Sequence, residues 1–203
     1  MARPRTDIRP RILRAARERF RKSGVDGASL RAIARDAKTS IGMIYYYFPT
    51  KDDLFFAVVE ESYEKILADL ERILSVRGGV EERLVRLYER IAEATDEEIE
   101  TVHLVGREAL SSSARRDRLV QRFTRGHVGL ILRTVMEGVQ EGAFDAKRHP
   151  AVLFLATFSL AFPPQLLRRV LGDRLPVPNV PTGKALAREL VHALFHGVGA
   201  QPN

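Results

Sequence analysis

Between Ser29 and Leu54 the chain reads SLRAIARDAKTSIGMIYYYFPTKDDL, and this stretch limits the possible folds more than any other. Ser29 is a strong N-cap residue, and Leu30, Ile33, Ala34 and Ala37 recur on one helical face. Lys38-Thr39 interrupts the pattern, and Ser40 caps a second short helix carrying Met43, Ile44, Tyr47 and Phe48. Thr50 and Asp53, three apart, open a long third helix running to about Leu74. Two short helices around a tight turn is the layout that lays its second helix in the major groove of DNA.

The flanking sequence is helical too. A first helix starts between Thr6 and Pro10, buries Ile12, Leu13, Ala16 and Phe20, and ends at Gly24. Gly78-Gly79 closes the long helix, and further helices cover about 80–94, 97–110 and 115–142, with Ser111-Ser112-Ser113 as a turn. An almost wholly apolar helix from Ala151 to Phe162 is bent or broken by Pro163-Pro164. Prolines make 172–183 an irregular loop before a last helix over about 184–198. No stretch alternates as an exposed strand does, so the expected fold class is all-α.

The wording of the central stretch resembles the helix-turn-helix signature of the tetracycline-repressor (TetR) family of bacterial regulators. Ala37, Ser40, Gly42, Ile44, Tyr45, Tyr47, Phe48, Lys51, Asp52, Asp53 and Leu54 fall in register with that pattern, as do Ile12, Leu13, Ala16, Phe20, Gly24 and Ser29 upstream. Lys38 and Thr39 depart from it, standing where Gly and Val are usual, and Thr50 replaces Ser or Asn. The resemblance covers about the first 56 residues. It implies a DNA-binding domain over 1–55 and a helical effector-binding and dimerisation domain over 56–203. By the same resemblance, Tyr45, Tyr47, Thr50 and Lys51 meet phosphates, whereas Lys38, Thr39, Ile41, Gly42, Met43 and Tyr46 lie at or beside base edges. Independently of family, the N-caps Ser29 and Ser40 place free helix amides near the DNA backbone. Ile44 and Phe48 are the expected packing residues.

Charge placement agrees with a nucleic-acid-facing end. Residues 1–55 hold 13 Lys/Arg against 6 Asp/Glu, whereas 56–203 hold 20 of each. A basic helix by itself is more often a solvated face, but beside a helix-turn-helix the excess points to phosphate attraction. Cys is absent, which removes disulfides and thiolate metal sites. The opening is arginine-rich rather than a signal peptide, and the longest apolar run, Ala151–Pro164, is shorter than the roughly 20 residues of a membrane span. The expectation is a cytoplasmic protein with no membrane partner.

Beyond residue 56, aromatic residues including Tyr63, Tyr88, Phe123 and Phe158 have two readings, as core or as the walls of an effector cavity. The resemblance favours the cavity, with His103, Arg107 and His127 as polar anchors. His192 and His196 with Glu189 do not supply the converging ligands a metal needs, so no metal or cofactor is expected. The apolar 151–162 helix, with Leu186, Leu190, Leu194 and Phe195, suits either a monomer's centre or half of a four-helix dimer interface. Neither a G-x-S-x-G elbow nor a phosphate loop occurs, so an enzyme is disfavoured. A non-specific DNA binder would not need the large neutral partner. The sequence therefore predicts a homodimeric repressor that binds a palindromic operator and is released by a small-molecule inducer.

Overall fold

The computed structural model describes residues 8–111, 113–174 and 177–197, and no strand occurs among them. Among the described residues eleven α-helices follow one another: α1 Ile8–Gly27, α2 Leu30–Asp36, α3 Ile41–Tyr47, α4 Lys51–Leu74, α5 Val80–Ala92, α6 Asp96–Ser111, α7 Ser113–Phe123, α8 Gly129–Gln140, α9 Pro150–Ala161, α10 Pro163–Leu171 and α11 Gly183–His196. A 3₁₀ turn, Gly172–Arg174, opens the proline-rich segment expected to be irregular. Thr6 lies outside the described residues. So does Ser112, although Ser111 ends one helix and Ser113 begins the next.

Two helix expectations are modified at glycines. Gly24 takes a positive φ of 73° and breaks α1 as expected, but helical turns resume to Gly27. The segment expected as one helix over 115–142 is divided by a π turn at Thr124–Val128, where Gly126 leaves helical geometry. A π turn inserts one residue into the ladder and shifts every following side chain around the axis.

The chain folds into two compact units, Met1–Ile66 with Asp96–Arg122, and Leu67–Thr95 with Phe123–Asn203. They do not follow the functional boundary expected after residue 55, because α4 runs unbroken through it and α6 packs on α1. In the first unit Ile12, Leu13, Ala16, Phe20, Ile33, Ile44, Leu54 and Phe55 are fully buried, with the rings of Phe20 and Phe55 edge to face at 6.3 Å. In the second, α11 packs on α5 and α9 around Leu84, Leu87, Tyr88, Val135, Ala187 and Val191. The Tyr88 hydroxyl donates to the Thr157 carbonyl at 2.6 Å. Buried Arg83 donates to Leu74 O and to Glu137, fixing α5 to α8.

Candidate nucleic-acid interface

Each short helix is built by its own caps. The Ser29 hydroxyl accepts from Ala32 N and the Ser40 hydroxyl from Met43 N, each satisfying one of the amides a helix start leaves free. Thr50 and Asp53 cap α4 reciprocally, the Thr50 N–H and hydroxyl donating to Asp53 and the Asp53 N–H to Thr50 Oγ1. All three capping residues, Ser29, Ser40 and Thr50, were expected as phosphate neighbours; their oxygens already hold backbone amides, so the remaining free amides of the first turns are the groups left for an anion.

The turn between α2 and α3, where the sequence departs from the family pattern, closes as a tight left-handed turn. Lys38 adopts a left-handed φ of 52°, Thr39 N donates to Ala34 O and Lys38 N to Arg35 O. That pair of bonds closes a Schellman turn, whose left-handed position glycine fills without strain. Lys38 takes the position at a cost of about 1–2 kcal/mol for an L residue. Arg11 Nη2 donates to the Lys38 carbonyl at 3.0 Å and helps hold it there.

Helix α3 has one buried and one open face. Ile44 and Phe48 are buried, as expected, while Met43 and Tyr47 are half-buried. Tyr46 is 76% exposed, Tyr45 51% and Ile41 37%, and the ring of Tyr46 rests edge-on against Tyr47 at 5.1 Å. Gly42 is exposed, and a β-carbon built on it meets only Ser40 Oγ at 3.8 Å. Nothing in the fold therefore requires glycine there. A glycine in an exposed helix that the fold does not need marks a place where another surface comes close.

The positive charge of this end is partly spent within the unit. Arg17 pairs with Glu61 and Glu97, Arg19 with Asp36, and Arg21 with Glu18. Arg14, Arg31 and the Lys38 ammonium make no ion pair among the described residues. Lys51 also departs from the simple phosphate-contact reading. It is half-buried, and Nζ donates to Asp26 O at 2.8 Å and Ala28 O at 3.3 Å, leaving at most one of three protons for an anion. Sequence offered no signal for this, since the carbonyls lie more than twenty residues away.

The residues expected around an effector are divided between the two units. Tyr63, His103 and Arg107 belong to the first unit, and Tyr88, Phe123, His127 and Phe158 to the second. Arg107 donates to the carbonyls of Phe20 and Arg21, and Tyr88 to Thr157, so both polar groups serve the fold. His103 is exposed; Tyr63 is buried beneath the Arg122 guanidinium at 4.5 Å. The rings of Phe123 and His127 lie 5.1 Å apart, and those of Phe154 and Phe158 stack at 6.3 Å.

With caps, turn and open recognition face in place, the comparison with known proteins is direct. The family model for bacterial regulatory proteins of the tetR family matches residues 12–58, the segment that holds all three elements. Over residues 12–58 the chain is similar to the tetR family. The chain is 40% identical over 60 residues to the HTH-type transcriptional regulator UidR of Escherichia coli, covering 30% of this chain and 31% of that protein. It is 34% identical over 68 residues to the nicotine-responsive transcriptional repressor HdnoR of Paenarthrobacter nicotinovorans, covering 34% and 35%. The chain thus matches about a third of the length of these relatives. Over 94% of its length it shares the fold of FadR from Bacillus subtilis, solved in complex with stearoyl-CoA, with a TM-score of 0.72, 18% identity and 99% of that chain covered.

Proposed function

We propose that the protein is a homodimeric transcriptional repressor that reads a palindromic operator with α3 and releases it when a small apolar molecule binds its helical body. One observation carries the reading: α3 presents Tyr45, Tyr46, Ile41 and a sterically unneeded Gly42 on one open face while Ile44 and Phe48 anchor the other. An anchored helix with an open face of mixed donors and apolar groups is the form that direct readout takes in the major groove. The contact set on this reading is Ser29, Lys38, Thr39, Ser40, Ile41, Gly42, Met43, Tyr45, Tyr46, Tyr47, Thr50 and Lys51, with Lys51 contributing its one uncommitted proton. Such a regulator acts in the cytoplasm, where the DNA is.

Dimerisation is supported by apolar side chains left open on α8 and α9. Leu132, Met136, Val152, Leu155 and Phe158 are exposed, too many large apolar groups in one region for an isolated chain in water. A two-fold partner covering them would place two heads on successive half-sites, with spacing set by the interface. The effector reading rests on the aromatic surfaces of Phe123, His127 and Phe158, on the stearoyl-CoA bound in the FadR structure and on the nicotine response of HdnoR. The effector shifts the balance between head spacings by binding one of them better.

The test is selection of random duplexes by the purified protein at physiological salt. A palindromic site favoured at least about 10³-fold over random DNA is the expected result. Retention without sequence preference would leave a non-specific binder and overturn the proposal.

A further inference from the structure

The elbow between α1 and α2 is held from outside. At Gly24 the positive φ breaks α1, and the Val25 N–H turns to Glu108 Oε1 at 3.2 Å. Glu108, on α6, is 2% exposed and pairs through Oε2 with Arg115 of α7 at 2.9 Å. Arg115, itself 5% exposed, donates to the Asp26 carboxylate at 2.7 Å and to Asp52, in the first turn of α4, at 3.0 Å. Arg107 donates to the carbonyls of Phe20 and Arg21, and Lys51 to those of Asp26 and Ala28. Three cations and three carboxylates close this network without excess charge. Backbone polar groups of the elbow that a helix would normally satisfy thus depend on side chains contributed 23 to 87 residues away.

We infer that Glu108 and Arg115 are positioning residues for DNA recognition: by holding Val25 and Asp26 they set the direction in which α2 and α3 leave the first helix. The inference deepens the proposed function and rests on it. Neither residue touches DNA on this reading. The chain leaves the first unit after Ile66, re-enters at Asp96 and leaves again after Arg122, so the segment bearing both residues is bounded at each end by the second unit. A shift of that segment acts on the elbow directly, without passing along α4.

The test replaces the buried pair together, Glu108→Leu with Arg115→Met, because removing one partner alone would strand a buried charge. Amide exchange across 25–29 is expected to quicken at least tenfold while exchange of Ile12–Phe20 stays unchanged, and affinity for the selected operator to fall at least tenfold. Arg115→Lys, which keeps a cation within reach of Asp26, is expected to recover part of both. Asp26→Asn covers the case in which the double variant does not fold, since its exposed carboxylate is neutralised without burying a lone charge; its elbow exchange is expected to quicken severalfold. A folded variant whose elbow exchange is unchanged overturns the inference, as does intact operator affinity with a loosened elbow. If the parent prefers no duplex, the DNA reading fails, while the exchange measurements still decide whether the pair holds the elbow.

Discussion

Replacing Gly42 with alanine separates what the fold needs from what recognition needs, because the two effects have opposite signs. Gly42 lies in the first turn of α3, in helical backbone, with open space around its missing β-carbon. Glycine in a helix is less favourable than alanine by about 0.5–1 kcal/mol, chiefly through backbone entropy. With no new contact under 3.8 Å to offset it, Gly42→Ala is expected to stabilise by about that amount. For a chain of 203 residues this corresponds to a rise in Tm of about 1–4 °C. If the open face of α3 is pressed into the groove, the same methyl removes the room for close approach. Loss of a well-formed contact then weakens operator binding by about 1.4 kcal/mol or more, a tenfold change. Differential scanning calorimetry and fluorescence anisotropy on one preparation read both quantities. A more stable variant with parental affinity would show that α3 does not approach the duplex at Gly42, and a less stable one would refute the packing argument itself.

Three further outcomes are expected. Lys38→Gly relieves the left-handed strain of about 1–2 kcal/mol and loses about 0.5–1 to chain entropy, so denaturant unfolding should show a net gain of roughly 0.5–1 kcal/mol; a loss would mean the lysine stem packs in the fold. If Lys38 also neutralises a phosphate, the slope of log affinity against log salt shrinks by about 0.9. Tyr46→Ala removes an exposed ring and should leave stability within about 0.5 kcal/mol while changing which duplexes are selected, whereas a uniform drop in affinity would deny it a base-reading role. Arg115 holds the Asp26 carboxyl, Arg19 that of Asp36, and Arg90 with Arg72 that of Asp69 below the usual carboxylate range. A depressed folded-state pKa means their stabilisation is complete above about pH 4, the ordinary unfolded value, and is lost as pH falls through the folded values. Unfolding free energies that stay level from pH 5 to pH 2.5 would contradict this.

Sequence alone determined the features in which cause and effect lie within one or two turns of chain. Ser29, Ser40 and the Thr50–Asp53 pair cap the helices they were expected to cap, and Ile44 and Phe48 point inward, because hydrogen bonds across three residues and 3.6-residue periodicity are local. Tertiary structure decided what depends on partners distant in sequence. Lys51 turns to carbonyls at the end of α1, Arg17 of the basic helix meets carboxylates from α4 and α6, and Asp96–Arg122 joins the first compact unit. Lys38 stands between the two cases: a lysine where glycine is usual left the turn's geometry open, and the Schellman bonds and Arg11 hold it in the left-handed form. A local preference worth about a kilocalorie per mole yields when several longer-range bonds require the other conformation.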